Sequence, residues 1–231
     1  MSGDSWGGGG PPPPQRLPGD SALPPTTPLA PLFVRGDANA LAHPLRIAVI
    51  GTRTPDPAAR SWTRELAAQL AGPEHRACIV SGLARGTDGV AHEAALDAGG
   101  VTVAVLAHGL DMIYPPEHAE LAARIVASGG ALVSAWPPGT PPLPWRFIAR
   151  DKWLASLVDV VLAVQSDADG GTMHAVRAAL RLGITVCVPA APLEIGAGLA
   201  PLRASGSATA CMDAAAVVAA RMAPQRQGSL F

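Results

Sequence analysis

The chain has 231 residues and is nearly neutral, with 17 basic against 18 acidic side chains and a formal net charge of −1. Such a charge argues against a protein that coats nucleic acid with its whole surface, but it allows a local arginine site. An apolar content of 48% is enough for a substantial core in one domain or in two small ones. Glycine, proline or charge interrupts every apolar run well before about 18 residues, so no membrane span is predicted.

The cysteines and the first residues indicate a cytoplasmic protein. Cys78, Cys187 and Cys211 fit no close-spaced metal or redox motif, and each lies in or beside an apolar run. We therefore expect buried free thiols in a reducing compartment. The N-terminus begins Met1-Ser2-Gly3-Asp4 and lacks the basic and apolar regions of a secretion signal. No pattern in the chain calls for a metal or a cofactor.

Residues 1–45 differ in composition from the rest of the chain. They are rich in glycine and proline, including the run Gly7–Gly10 followed at once by Pro11–Pro14. Such a segment buries too little apolar surface to offset its chain entropy, so a disordered tail is predicted. The proline run could instead be a polyproline ligand for a partner. A short apolar patch, Pro31-Leu32-Phe33-Val34, is a candidate for docking on the domain.

From Arg46 onward, apolar runs alternate with segments of helical periodicity. Six short strands are predicted, at Ile47–Ile50, Ala77–Val80, Val101–Leu106, Ala131–Val133, Val158–Val164 and Ile184–Val188. Between them lie five predicted helices, at about 58–71, 88–98, 117–128, 146–156 and 172–182. Continuous apolar strands separated by helices predict a doubly wound α/β domain, with a mostly parallel sheet of about six strands, over residues 46–195. Residues 196–223 are predicted to be an alanine-rich extension with one helix near 212–222, followed by a flexible tail at 224–231.

Several predicted strands end in glycine at the same edge of the sheet, where ligands of open parallel sheets bind. Glycine lets the backbone approach a ligand closely, and a helix that begins nearby offers free amides to an anion. A phosphate-type pocket is therefore predicted at these turns; its residues are Gly51, Thr52, Ser81, Gly82, Gly86, Thr87 and Gly109. The dinucleotide fingerprint and the Walker A loop are both absent from the sequence, which argues against nicotinamide-dependent redox chemistry and triphosphate hydrolysis.

Four ordered motifs carry a family resemblance. They are Gly51-Thr52-Arg53, Ser81-Gly82-Leu83-Ala84-Arg85-Gly86-Thr87-Asp88 with Ala91-His92, Gly109-Leu110-Asp111 leading to Tyr114-Pro115-Pro116-Glu117-His118, and Pro137–Pro142 up to Phe147-x-x-Arg150. On these motifs the chain resembles the DprA/Smf family of DNA-processing proteins, and the resemblance covers about residues 46–192. The resemblance implies an extended Rossmann-like domain that binds single-stranded DNA, forms homodimers and helps to load the RecA recombinase.

The chain departs from that family pattern in three places. Asp151 and Lys152 stand where the family has asparagine and a second arginine, and an acidic Asp151 would weaken phosphate contact unless it pairs with Arg150 or Lys152. Asp169–His174 replaces a small-hydroxyl stretch. The flanking helical and winged-helix modules of many members are missing, so RecA loading transfers less securely than the fold.

The resemblance and the residue types together predict a nucleic-acid site. Its members are Arg53, Arg85, Arg146, Phe147, Arg150 and Lys152. Guanidinium groups suit phosphate oxygens, and an aromatic ring among cations suits a stacked base of a single strand. Alternatives remain open for several of these residues.

Phe147 could be a core residue, with Trp145 and Trp153 competing for the stacking role. Arg53 could pair with Asp56 or Glu65. Arg85 could orient Asp88 or Asp111, and structural roles are expected for His92 and His108.

The last five residues, Gln227-Gly228-Ser229-Leu230-Phe231, resemble the pentapeptide that binds the bacterial sliding clamp. The anchors would be Gln227, Leu230 and Phe231, since Leu and Phe can enter an apolar pocket while Gln makes polar contacts at its rim. An incidental apolar terminus, or one that folds back on the domain, is the alternative.

Three functions compete. The first is a non-catalytic accessory protein of recombination, repair or transformation that binds single-stranded DNA. The second is a nucleotide phosphoribohydrolase of the LOG type, suggested by Asp169-Gly170-Gly171-Thr172; however, Met173-His174-Ala175-Val176 lacks the glutamate that such chemistry needs. The third is a sensor that binds a signalling nucleotide in the same strand-end pocket.

Overall fold

A computed structural model describes residues 15–17 and 32–221 of the chain. These residues build one nine-stranded sheet in the order β1-β2-β6-β5-β4-β3-β7-β8-β9. The seven strands from β6 to β9 in this order are parallel, whereas β1 and β2 are antiparallel to their neighbours. The strands are β1 (Gln15–Leu17), β2 (Leu32–Gly36), β3 (Arg46–Ile50), β4 (Cys78–Ser81), β5 (Thr102–Leu106), β6 (Ala131–Ser134), β7 (Val160–Ala163), β8 (Thr185–Pro189) and β9 (Thr209–Cys211).

Seven helices accompany the sheet: α1 (Pro57–Ala71), α2 (Thr87–Asp97), α3 (Ala119–Ala127), α4 (Pro144–Ser156), α5 (Thr172–Arg181), α6 (Ala200–Ser205) and α7 (Ala214–Ala220). Apolar residues of α4 and α5 pack on one face of the sheet. Those of α1, α2, α3 and α7 pack on the other face. The central strands are buried on both faces, which explains their continuous apolar runs and confirms the doubly wound, mostly parallel fold.

Local signals account for where the two helices around the site begin. Asp56 caps α1, and its carboxylate accepts a hydrogen bond from Ala59 N at 2.8 Å. α1 and α4 both carry proline in the first turn, where a missing N–H is tolerated. The cysteines are buried free thiols, as predicted.

The sequence-based domain boundary at residue 45 is wrong for residues 32–45. Leu32–Gly36 is a strand that pairs with β6, and Leu32 and Val34 lie in the core. The apolar patch therefore docks by joining the sheet. A strand of five residues cannot be recognised from the average composition of a glycine- and proline-rich region. The rest of the predicted tail lies outside the described residues, apart from β1.

The prediction that residues 196–223 form an extension with one helix is also wrong. Residues 196–221 contain α6, β9 and α7, and β9 pairs with β8, so this segment completes the sheet domain. β9 has only three residues and two of them are exposed, which leaves no periodic apolar signal. The predicted flexible tail at 224–231 lies outside the described residues.

Candidate nucleic-acid interface

A pocket of about 610 Å³ opens where the strand order of the sheet reverses. From β3 the connections lead outward through β4, β5 and β6, whereas β7, β8 and β9 extend the sheet in the other direction. Such a switch point creates a crevice beyond the carboxyl ends of the two central strands. The loops after β3 and β7 and the first turns of α4 line this pocket.

Phe147 and Arg53 meet at this pocket from distant parts of the chain. The Arg53 guanidinium carbon lies 5.8 Å from the centre of the Phe147 ring, and the Tyr114 ring lies at the same 5.8 Å with an angle of 59°. Phe147 is half-buried and lines the pocket, so it is not a core residue. Arg53 is exposed and forms no ion pair within residues 32–221, neither with Asp56 nor with Glu65.

Arg150 lies beneath the pocket surface and connects α4 to the sheet. Its Nη1 donates to the carbonyls of Gly82, at 2.6 Å, and Val105, at 2.8 Å, which follow or belong to neighbouring strands. Its Nε donates to the Asp151 carboxylate at 2.9 Å. Only 5% of Arg150 is exposed. These contacts make Arg150 a residue that positions α4, and they leave little of its guanidinium for a ligand.

Two carboxyl groups adjoin Arg150, and burial raises the pKa of both. Burial is the main reason that the pKa of Asp88 rises to about 6, although the positive charge of Arg150 acts in the opposite direction. Burial also raises the pKa of Asp151, against the attraction of Arg150, His174 and Arg53. Asp151 forms an ion pair with Arg150. An acidic side chain at this position was expected to weaken phosphate contact unless it formed such a pair.

Several groups of the predicted anion pocket already donate to acceptors within the protein. The amides of Thr52, Thr87 and Gly109 donate to the carbonyls of Gln165, Thr52 and Thr140. The Gly82 and Ala84 amides donate to the Asp88 carboxylate, at 3.2 and 3.3 Å, so an internal anion occupies that loop. The hydroxyls of Ser81 and Thr87 donate to the carbonyls of Val49 and Thr52. Sequence cannot show that a protein acceptor already satisfies an amide.

Close packing explains the glycines at these turns instead. A side chain at Gly82 would overlap the Arg150 guanidinium, and one at Gly51 would overlap Thr87. Gly86 has a φ of +78° and lies against the backbone of Arg53, a conformation that favours glycine. Of the seven residues of the predicted anion pocket, Gly51 and Thr52 line the pocket.

The other predicted cations have separate environments. Arg85 is exposed and pairs with Glu117, neither with Asp88 nor with Asp111, and it does not line the pocket. Arg146 donates to the Pro141 carbonyl and lies over the Trp145 ring. Lys152 is exposed on the outer side of α4.

Several pocket residues were absent from the sequence-based site. They are Tyr114, Pro142, Ser166, Asp167, Thr172 and His174. Four of them follow β7. They could have been predicted from the sequence, because β3 and β7 become neighbours in a doubly wound sheet. The glycines of Asp169–His174 marked this turn, but the motif was interpreted as a departure from the family and as a faint likeness to a LOG-type enzyme, not as part of the nucleic-acid site.

The two histidines noted in the sequence are buried, as expected for structural roles. His92 Nδ1 lies 2.7 Å from the Thr102 hydroxyl, and burial lowers the pKa of His92 to about 3. His108 Nδ1 lies 2.9 Å from the Gly109 carbonyl, and burial lowers its pKa as well. In the part of the chain that the structure describes, no cluster of His, Cys, Asp and Glu could hold a metal ion. Nor does that part contain a helix long and apolar enough to span a bilayer.

The fold and the pocket define a Rossmann-like α/β protein with a pocket at its strand switch point. Comparison with known proteins identifies the family. The chain belongs to the DNA recombination-mediator protein A family, whose model matches residues 19–222.

Protein Smf of Escherichia coli is similar to this chain, with 40% identity over 183 residues that cover 77% of this chain and 48% of that protein. The chain thus spans about half the length of this curated relative. DNA processing protein A of Helicobacter pylori, whose structure is described for its single-stranded DNA binding mode, matches with a TM-score of 0.75 and 31% identity. That match covers 85% of this chain and 90% of the other. The Streptococcus pneumoniae protein matches with a TM-score of 0.76 and 28% identity, over 87% of this chain and 71% of the other.

Proposed function

We propose that this chain binds single-stranded DNA at the pocket between β3 and β7, as a recombination mediator without a catalytic step of its own. The observation that carries the proposal is the pairing of Arg53 and Phe147 at the pocket rim, with their guanidinium carbon and ring centre 5.8 Å apart. A guanidinium beside an aromatic ring offers one contact for a phosphate and one for a base, which is the combination that single strands need.

The family supports the same proposal. The Helicobacter pylori relative is described as a single-stranded DNA-binding protein, and its fold matches this one over most of both chains. The pocket is also bounded by Tyr114, a second ring that leans on Phe147 at 5.8 Å. Tyr114 is 44% exposed, so its ring is available to a base as well as to Phe147.

Arg53 and Asp167 are the charged side chains that the pocket exposes, because its other two carboxylates are paired internally. The Asp151 and Asp88 carboxylates face inward to Arg150 and to backbone amides, whereas Arg53 faces outward. Each internal carboxylate is thus partly neutralised before a phosphate arrives. A chain of net charge −1 can then bind nucleic acid at one place, with a modest dependence on salt.

The test is equilibrium binding of a labelled single strand of about 30 nucleotides, compared with duplex of the same length, over a salt titration. Arg53→Ala and Phe147→Ala should each weaken single-strand binding by about 1–3 kcal/mol, the effect of one stacked base or one phosphate contact. Arg53→Ala should also reduce the salt slope by about 1, because one fewer counterion is released.

Two matched controls separate the site from general effects. Arg181→Ala removes the same charge from the last residue of α5, about 15 Å along the helix from its pocket end, and should leave binding unchanged. Phe147→Leu keeps the apolar volume without the ring and should behave like Phe147→Ala. Wild-type binding by both Arg53→Ala and Phe147→Ala would refute the site. Absence of single-strand binding by the wild type would refute the function and favour a nucleotide ligand in the pocket.

The proposal extends to partners. A mediator that holds single strands would act with RecA and as a homodimer, as expected from the family. The clamp-binding motif Gln227, Leu230 and Phe231 lies outside the described residues, and association with the sliding clamp through it stays a sequence-based proposal.

A further inference from the structure

The outer side of α4 carries an exposed aromatic and apolar stripe that begins at the pocket and extends beyond it. Trp145, Ile148 and Lys152 are spaced at i, i+3 and i+7, so they lie on the same side of the helix. Trp145 is 56% exposed and Ile148 is 40% exposed, and Lys152 is exposed too. We call these three residues the outer stripe.

The Trp145 ring is held in place from one side. The Arg146 guanidinium carbon lies 4.8 Å from the ring centre, within the range of a cation–π contact. Arg146 is itself anchored, because its Nη1 donates to the Pro141 carbonyl of the preceding loop. A ring that is backed by a fixed guanidinium and still more than half exposed presents a prepared surface for stacking, so little rotamer entropy is lost when a ligand stacks on it.

The outer stripe is continuous with the pocket. Ile148 lines the pocket next to Phe147, whereas Trp145 and Lys152 lie outside it. A strand that leaves the pocket over Phe147 therefore passes Ile148 and reaches the Trp145 ring. The stripe combines an exposed ring with one cation and holds no carboxylate, which is the combination that binds a base and a phosphate of a single strand.

We propose that Trp145 is a second base-stacking platform, on which single-stranded DNA continues after the pocket, with Lys152 contacting a phosphate. Arg146 acts through Trp145 as a positioning residue and does not contact DNA. This inference rests on the proposed function and adds to it the direction of the strand and a longer footprint. The family resemblance assigned DNA contact to Arg146 itself, whereas its contacts here are with Trp145 and the Pro141 carbonyl.

The test is affinity as a function of strand length, with oligothymidines from about 4 to about 16 nucleotides, the range of single-strand site sizes. The shortest strands fill the pocket alone, so Phe147→Ala should weaken binding at every length. Trp145→Ala should leave the shortest strands unaffected and weaken the longer ones by about 5- to 150-fold, the equivalent of one stacked base. Trp145→Phe should restore most of that loss, since the ring is kept.

Two further measurements make the assignment specific. An abasic nucleotide at the position that meets Trp145 should weaken wild-type binding and have no effect on Trp145→Ala. Arg146→Gln should weaken long strands only, and Arg146→Lys should recover part of the loss because a cation again backs the ring. Lys152→Gln should reduce the salt slope for long strands by about 1. Because the Trp145 side chain is exposed, the urea unfolding midpoint of Trp145→Ala should match that of the wild type.

Results that would refute the Trp145 platform differ from those that would refute single-strand binding at the pocket. Equal loss at all lengths for Trp145→Ala would place this residue in the pocket, and no loss at any length would remove the platform and leave the stripe as a surface for a protein partner. Either result keeps single-strand binding by the wild type. If the wild type binds no strand of any length, the proposed function fails and the outer platform fails with it.

Discussion

Asp88 should make the protein less stable as the pH rises from about 4 to about 6. Burial raises the pKa of Asp88 from 3.8 to about 6, so the folded state holds this proton more tightly than the unfolded chain does. Stability that comes from the proton is present below the unfolded pKa and is lost as the pH passes the folded pKa. A difference of about two pKa units corresponds to about 3 kcal/mol.

Replacing Asp88 by Asn isolates this contribution. Asparagine cannot ionise, but its side-chain oxygen can still accept from the Gly82 and Ala84 amides, which contact the carboxylate at 3.2 and 3.3 Å. Any change in these hydrogen bonds adds a constant at all pH values. The free energy of unfolding of Asp88→Asn minus that of the wild type should therefore increase by about 2–3 kcal/mol between pH 4 and pH 7.

The assay is urea unfolding of both proteins at closely spaced pH values, because titrations that are common to both cancel in the difference. Asp56→Asn is a control of opposite sign: the hydrogen bond from the Ala59 amide lowers the pKa of Asp56, so wild-type Asp56 stabilises more as the pH rises. A difference for Asp88→Asn that does not change with pH would refute the view that burial raises the pKa of the carboxyl that organises the loop after β4.

Two other predictions follow from the described contacts. Asp151→Asn should strengthen single-strand binding at pH 7.5 by about 1 kcal/mol and flatten its pH dependence, since burial raises the pKa of Asp151 and wild-type binding should improve as that carboxylate gains a proton; a pH profile parallel to that of the wild type would contradict this. Leu32→Ala should destabilise the protein by about 2–5 kcal/mol in urea unfolding, because Leu32 is 2% exposed in the core; an unchanged midpoint would return residues 32–36 to a disordered tail.

The central architecture could be predicted from the sequence because it depends on local patterns. All six predicted strands and five predicted helices are present, with boundaries that differ by a few residues, since buried parallel strands read as short apolar runs between amphipathic helices. The family motifs also lie where the chain turns at the carboxyl edge of the sheet. Arg53 and Phe147 were predicted to act together, and the structure brings them together at one rim.

Other features depended on contacts between distant segments. β2 and β9 are short, and they belong to the sheet because they pair with β6 and β8, not because of their own sequence pattern. Arg150 was predicted to contact DNA, and its hydrogen bonds to the Gly82 and Val105 carbonyls give it a structural role that its motif did not reveal. Whether an arginine guanidinium is exposed or buried depends on residues that are close in space but distant in the sequence.

The sequence by itself determined the fold class, the family and the edge of the sheet at which a ligand should bind. These follow from periodicity and from short motifs, each of which is a property of a few consecutive residues. Only the tertiary structure decided which groups remain available at that edge. It directed the amides of Thr52, Gly82, Thr87 and Gly109 toward acceptors within the protein, one of which is the Asp88 carboxylate. It left Arg53 and Trp145 exposed and Phe147 half-exposed at the pocket. The physical reason is that a polar group can be satisfied by any partner within reach, and reach is fixed by packing across the sheet.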